Sequence, residues 1–269
     1  MASSNSIDEH TYIEPLKKRV DGEICYLTLC HPKVRNALSG KLIRNLQSTF
    51  DEIANDRKIK VVVLDADGDV FCAGHDLMEI RALSNEKMIA QLFADCSSMM
   101  QSITEMPQPV IALVQGIATA AGCQLVATAD LAIASESARF ATPGVHIGLF
   151  CSTPMVPISR VLTKKHAMEM LLTGDLISAE DALRFGLINR VVAADALQAT
   201  GNTLARKIAE KSSYTVGLGK KAFYEQLNMP IKDAYAHCCK IMTHNTLAPD
   251  AVEGIDAFLQ KRSPKWSTD

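Results

Sequence analysis

No apolar run in this 269-residue chain approaches the roughly 20 residues that a helix needs to cross a bilayer, so a helical membrane protein is not expected. An excess of charge of one sign is missing as well. Against 28 Lys and Arg stand 30 Asp and Glu, a formal balance of −2 that leaves no broad footprint for nucleic acid or an anionic membrane. Any anionic ligand must therefore meet local positive groups. The eight cysteines, at 25, 30, 72, 96, 123, 151, 238 and 239, nowhere show the CxxC spacing that zinc and redox sites favour. Most stand in apolar company, where reduced cysteine behaves as a small hydrophobe. A reducing compartment and no bound metal are the expectation. GxSxG, HExxH and a complete P-loop are also absent. Gly217-Leu218-Gly219-Lys220-Lys221-Ala222 loosely fits a dinucleotide fingerprint, but that needs a preceding strand and the context here is helical.

The opening MASSNSIDEHTYIEP has early acids, no Arg-rich face and no apolar h-region. It resembles neither a transit peptide nor a secretion signal. The expected compartment is the cytoplasm, or a mitochondrial matrix if a transit peptide has been removed. Strands are predicted around Leu16 to Val20 and Ile24 to Leu29, with Asp21-Gly22 at the turn. Leu42, Ile43, Leu46, Phe50 and Ile53 then fall at helical spacing, behind a loop that carries Lys33 and Arg35. Three short apolar runs, Val61 to Leu64, Val110 to Val114 and Leu131 to Ala134, read as strands buried on both faces. A helix is predicted between the first two, from about Asn85 to Thr104, ended by Met106-Pro107-Gln108-Pro109. Strand, turn, helix, strand is the pattern of an α/β core. Beyond Pro154 the chain turns helical: Lys164 to Leu172, Ser178 to Phe185 with Ser178 as N-cap, a short strand around Leu187 to Val192, then helix from Asp195 to Gln260. No linker or low-complexity segment interrupts it.

Two turns carry chemistry. After Val61 to Leu64, the loop Ala73-Gly74-His75-Asp76-Leu77 has a glycine that can turn the backbone so that the His75 N–H points into a cleft. After Val110 to Val114, a run of small residues leads to a helix start near Ala121 or Gly122, whose free N–H groups can bind an oxyanion. Two such donors aimed at one point would form an oxyanion hole. Each alone is otherwise a tight turn or a closely packed helix.

Taken together, Ala73-Gly74-His75-Asp76-Leu77 and Ala120-Ala121-Gly122-Cys123-Gln124-Leu125 resemble the AGxDL and GGGxEL motifs of the crotonase, or enoyl-CoA hydratase/isomerase, family. The likeness continues through Asp130 to Ala134, Phe140 to Pro143, Ala167 to Gly174 and Ala182 to Ile188, and covers nearly all of residues 12 to 266. It implies an α/β fold: a crotonase-like spiral of ββα units over residues 12–195, then a helical region over 196–266 that builds trimers or dimers of trimers. It also implies an acyl-CoA thioester as ligand, with its carbonyl between the His75 and Ala121 amides, and coenzyme A as part of the substrate rather than a separate cofactor. Ala73, His75, Asp76 and Leu77 would line the thioester, while Lys33, Arg35 and Lys261 would meet the phosphates.

The pattern breaks where protons are handled. The family's two hydratase glutamates fall on Gln124 and Gly144, and a third slot, an aspartate in some members, falls on Ser152. Gln takes up no proton near neutral pH and Gly has no side chain. His146, two residues past the second slot, could serve as a base; if that segment is extended it shares a face with residue 144 at about 6–7 Å along the chain. The His75 ring, Cys151 and Ser152 are the other candidates. Two readings stand in parallel: a crotonase-family lyase, isomerase or decarboxylase acting on an acyl-CoA, and a non-catalytic acyl-CoA binder. A decarboxylase needs little beyond the oxyanion hole and tolerates the missing carboxylates best.

Overall fold

The computed structural model describes residues 14–267, so the reading of the first 13 residues lies outside the described part of the chain. Leu16–Asp21 (β1) and Ile24–Leu29 (β2) form the expected hairpin, with Gly22 turning at φ 59°. Gly40–Ala54 (α1) follows, capped by Ser39, whose hydroxyl accepts from the Leu42 N–H. Its buried stripe is Leu42, Ile43, Leu46, Phe50 and Ile53, as the spacing predicts.

The three apolar runs are strands: Val61–Ala66 (β3), Val110–Val114 (β5) and Leu131–Ser135 (β7). With β1, β2 and Arg190–Val192 (β10) they make a six-stranded sheet in the order β1-β2-β3-β5-β7-β10. Each long strand is followed by a three-residue one: Val70–Cys72 (β4), Ile117–Thr119 (β6) and Arg139–Ala141 (β8). These pair in parallel in a second sheet, completed by Ile177–Ser178 (β9). The chain thus repeats long strand, short strand, helix in a spiral, and Leu77–Ala82 (α2), Glu86–Glu105 (α3) and Ala121–Thr128 (α4) fill the returns.

Both faces of the large sheet are covered, which is why its strands read as continuous apolar runs. Val62, Leu64, Val110, Ala112 and Val114 face the main core with α1 and α3. Val61, Val63, Ile111, Leu113 and Ile133 face a second core closed by Leu197, Ala205 and Ala209 of Leu197–Ala209 (α8). Met155–Val161 (α5), Lys164–Thr173 (α6) and Ala179–Phe185 (α7) precede that helix, and Ser213–Gln226 (α9), Ile231–Thr246 (α10) and Pro249–Leu259 (α11) follow it. The strand predicted from Leu187 begins only at Arg190, because the N–H groups of Leu187 and Asn189 are taken by Ala182 O and Ala132 O outside a ladder.

The glycine-rich Gly217 to Ala222 stretch is an interior part of α9, as its helical context predicts. Its lysine is a structural bolt. Lys220 Nζ donates to Asp130 Oδ2 at 2.6 Å and to the carbonyls of Ile103 and Gln108. Tyr224 donates to Asp130 Oδ1 at 2.9 Å, and Asp130 Oδ2 also accepts from the Val110 N–H. Burial pushes the Lys220 ammonium downward in pKa and the Asp130 charge opposes that. The pair is nearly sealed, with 6% and 14% of the two side chains exposed. Removing one partner of such a pair leaves a buried charge uncompensated and costs about 3–5 kcal/mol. Lys220→Met is therefore expected to lower the urea-unfolding free energy by about that amount; a loss under about 1 kcal/mol would show that water reaches Asp130.

Candidate active site

The site is built where the exits of β4 and β6 meet. Residues 35–38 run beside 73–76: the Ala73 N–H donates to Arg35 O (3.1 Å), Leu38 N–H to Gly74 O (2.8 Å) and Asp76 N–H to Leu38 O (3.4 Å). Asn36 locks this arrangement, accepting from His31 N–H and donating to the Asp67 and Val70 carbonyls. Along an extended segment successive amides point to opposite sides. With Gly74 O and Asp76 N–H turned to Leu38, the His75 N–H points away from it.

That direction faces the start of α4. Gly74, at φ +91°, lies so close that a Cβ on it would be 3.1 Å from Ala121 N and 2.9 Å from Ala120 Cβ. Thr119 Oγ1 donates to Ala73 O at 3.1 Å, a second tie between the loops. Ala120, the N-cap, is held at φ 50° and ψ −119° with its N–H on Ala141 O. A residue with a Cβ reaches this region at a cost of about 1–3 kcal/mol, and such strain persists where surrounding structure imposes it. Among the described residues, neither the His75 nor the Ala121 N–H donates a hydrogen bond. Ala121 is only 1% exposed, so its free amide is the kind of buried donor that proteins seldom leave unmatched.

Gly122 serves a different purpose from its neighbours. A Cβ there would stand 2.0 Å from Cys72 O, so its smallness lets α4 rest on the end of β4.

Positions 124 and 144, where the resemblance implies carboxylates in other members, have surroundings the sequence does not show. A Cβ on Gly144 would meet Leu149 O at 2.6 Å and Cys151 Sγ at 2.9 Å. A glutamate therefore cannot be placed at 144 without moving the 149–151 segment. Burial raises the Cys151 thiol, opposed by the Gly144 backbone, and raises Cys72, Cys96 and Cys123 to about 12. These are thiols rather than thiolates at neutral pH, which argues against an activated nucleophile.

The segment around 144 is not extended, a correction to the sequence reading. Pro143–Ile147 form a 3-10 helix, with Pro143 fixing φ for the first turn, so 144 and 146 do not share a face. His146 is exposed and its Nε2–H donates to Thr173 O at 2.8 Å, at the end of α6. Ser152 is exposed and its hydroxyl donates to Phe150 O. Neither hydrogen bond runs to the two loops. Asp76 caps α2, accepting from the Met78 and Glu79 N–H groups, and Leu77 begins that helix half-exposed. Lys33, Arg35 and Lys261 are exposed, with no ion pair among the described residues; Arg35 and Lys261 adopt left-handed backbone at φ 55° and 54°.

A cavity of about 410 Å³ lies instead against the C-terminal tail, lined by Pro249, Asp250, Glu253, Arg262, Lys265 and Ser267. Arg262 and Glu253 are already paired at 2.6 Å, and no residue of the two loops reaches it.

A model of the enoyl-CoA hydratase/isomerase family matches residues 19–269. The chain belongs to that family. It is 46% identical over 250 residues to human enoyl-CoA hydratase domain-containing protein 3, mitochondrial, covering 93% of this chain and 82% of the human one. The mouse protein of the same name is 45% identical over 241 residues, 90% and 80% of the two chains. The crystal structure of the human protein superposes with a TM-score of 0.92 at 45% identity, covering 94% of this chain and 100% of that one. An enoyl-CoA hydratase of Mycobacterium smegmatis superposes at 0.93 with 46% identity, over 94% and 99%. The fold is the crotonase fold, a mixed α/β spiral with C-terminal helices.

Gln124 stands three residues after Ala121, on the same side of α4. It is 4% exposed and its Oε1 is buried without a partner. An unpartnered buried polar atom costs about 1–3 kcal/mol. Gln124→Met, close in volume, is accordingly expected to raise the unfolding free energy by about 1 kcal/mol. A drop of that size on chemical denaturation would mean that Gln124 has a structural partner.

Proposed function

We propose that this family member binds an acyl-CoA with its thioester oxygen between the His75 and Ala121 amides, and stabilises negative charge on that oxygen. The single observation behind this is the pair of unengaged amides on two loops joined at Gly74 and Ala120. A donor of this kind is worth about 2.7–4 kcal/mol to a developing oxyanion, because it is already in place when charge appears. Drawing charge onto the oxygen loosens the bonds at the α-carbon, the step that lyases and isomerases of this type share. Both donors are backbone groups, so Ala at 120 and 121 retains them. Lys33 and Arg35 flank the Ala73–Leu77 loop through the Arg35–Ala73 hydrogen bond and are assigned the phosphates of coenzyme A. Lys261 is assigned the same role toward a neighbouring subunit's ligand.

Hydration by two carboxylates is not part of the proposal. Gln124 and Gly144 supply neither acid nor base, and the space at Gly144 is closed. Crotonyl-CoA should lose its enoyl absorbance at well under ~1 s⁻¹, slow for a working enzyme. A faster rate would overturn this part of the reading. Calorimetric titration should still show acyl-CoA binding, weakened several-fold in Lys33→Ala/Arg35→Ala and less so as salt rises. If the parent binds no acyl-CoA of any chain length, the assignment of the site fails. The same titration without turnover of any thioester is the outcome for the second reading, a non-catalytic binder, which the blocked slot at Gly144 favours.

The C-terminal helices leave Ile231, Tyr235, Met242, Leu247 and Phe258 largely exposed, between 67% and 83%. Large apolar side chains left this open along the C-terminal helices fit an interaction face. We assign it to contacts between copies of this chain, as a trimer or a pair of trimers. Light scattering should give three or six times the mass of the chain; a monomer at micromolar concentration would refute it. The eight cysteines are all free, which suits a reducing compartment, a cytoplasm or a mitochondrial matrix.

A further inference from the structure

We infer that Glu79 is a positioning residue: its carboxylate, bound to the start of α1, fixes the His75 amide against the carbonyl of the ligand. This rests on the acyl-CoA reading above and goes beyond it by naming a side chain that acts on the grip of the thioester oxygen through the backbone alone.

Glu79 is not bonded where its place in the sequence would put it. Asp76 is the N-cap of α2 and Glu79 stands three residues on, the spacing of a capping box, in which the acid returns to the N–H of the cap residue. That N–H is directed to Leu38 O. The carboxylate leaves its own helix instead and accepts from the Gly40 N–H, in the first turn of α1, at 2.7 Å. α1 has no acid in its own first turn, so the negative charge that suits a helix start comes from 39 residues further along the chain. Gly40 leaves room for it, since a Cβ there would stand 2.8 Å from Glu79 Oε1. The His75 ring lies at the same seam: burial lowers its pKa, and the Leu38 backbone and the Glu79 charge oppose that.

The neighbouring bonds decide what this contact does. The bond from Leu38 N–H to Gly74 O, at 2.8 Å, turns the peptide between Gly74 and His75 so that its N–H points the other way. A single bond leaves that peptide free to pivot. On the far side of His75 the Asp76 N–H reaches Leu38 O only at 3.4 Å, outside the usual range for such a bond. The bond from Gly40 to Glu79 is short and charge-assisted, roughly twice as strong as a neutral one. It therefore holds the second end of the seam between residues 35–40 and 73–79, and with it the direction of the His75 N–H. A misplacement of about 1 Å is enough to lose about a hundred-fold in rate.

Two ligands isolate this grip. Butanoyl-CoA has the carbonyl, and S-butyl-CoA carries a methylene in its place. Titrated calorimetrically into the full-length protein, the thioester should bind about ten-fold more tightly, the worth of two hydrogen bonds. In Glu79→Ala, and in Gly40→Ala, whose methyl displaces the carboxylate, that ratio should fall to about two, and the double variant should lose no more than either alone. S-butyl-CoA should bind all three as it binds the parent, and each should keep a cooperative urea transition. Glu79→Gln, whose amide oxygen can still accept from Gly40, should retain more of the ratio than Glu79→Ala. A ratio that survives in both single variants, losses that multiply in the double one, or an equal loss of S-butyl-CoA affinity would each overturn the inference while leaving the acyl-CoA reading standing. Equal affinities in the parent, or no binding of either ligand, would overturn that reading and this inference with it.

Discussion

The meeting of Gly122 with the Cys72 carbonyl sets the rest of the site. With no Cβ at 122, the first turn of α4 rests directly on the end of β4, and the two spiral turns come into register at their exits. That register puts Gly74 against Ala120 and Ala121, and holds Ala120 at a positive φ no alanine would choose alone. The strain is supported from three sides: Ala120 N–H on Ala141 O, Thr119 on Ala73 O, and Gly74 O on the Leu38 N–H. Amides fixed this way keep their direction without reorganisation, which is what the proposed function asks of them.

The parts of this fold that are legible in the sequence are those with enough length to show a period. Val61–Ala66, Val110–Val114 and Leu131–Ser135 are apolar throughout because a core lies on each face of the sheet. The stripe of α1 and the Ser178 cap of α7 obey rules that act within one turn. The short strands β4, β6 and β8 have three residues each, too few for alternation to register, and what holds them is pairing with one another across distant sequence. The 3-10 turn at Pro143–Ile147 escapes for a related reason. Its geometry follows from packing against α6 and from the closure of Gly144 on Leu149, neither of which is local.

The candidate site divides along the same line. Its backbone donors can be anticipated, because Gly74 and the small residues at 120–122 mark turns and close approaches whatever surrounds them. Its side-chain chemistry cannot. In the sequence Gly144 shows only that no side chain stands there. In the structure the space beside it is occupied by a carbonyl and a thiol, so the path of the 149–151 segment closes that position as much as the choice of residue does. His146 stands near the slot in sequence and is tied to the end of α6 in space.

Two largely buried polar groups of this chain are paired on every side. Asn36 has three side-chain partners, and Asp130 meets Lys220, Tyr224 and a backbone amide. At the start of α4 stand a strained alanine, two amides without a hydrogen-bond acceptor, and a glutamine whose Oε1 is buried without a partner. Each costs stability. Strained backbone and idle donors are what a fold retains when another molecule completes the pairing. The two free N–H groups, fixed by loops that cannot turn them elsewhere, are for that reason the feature on which the proposed function rests.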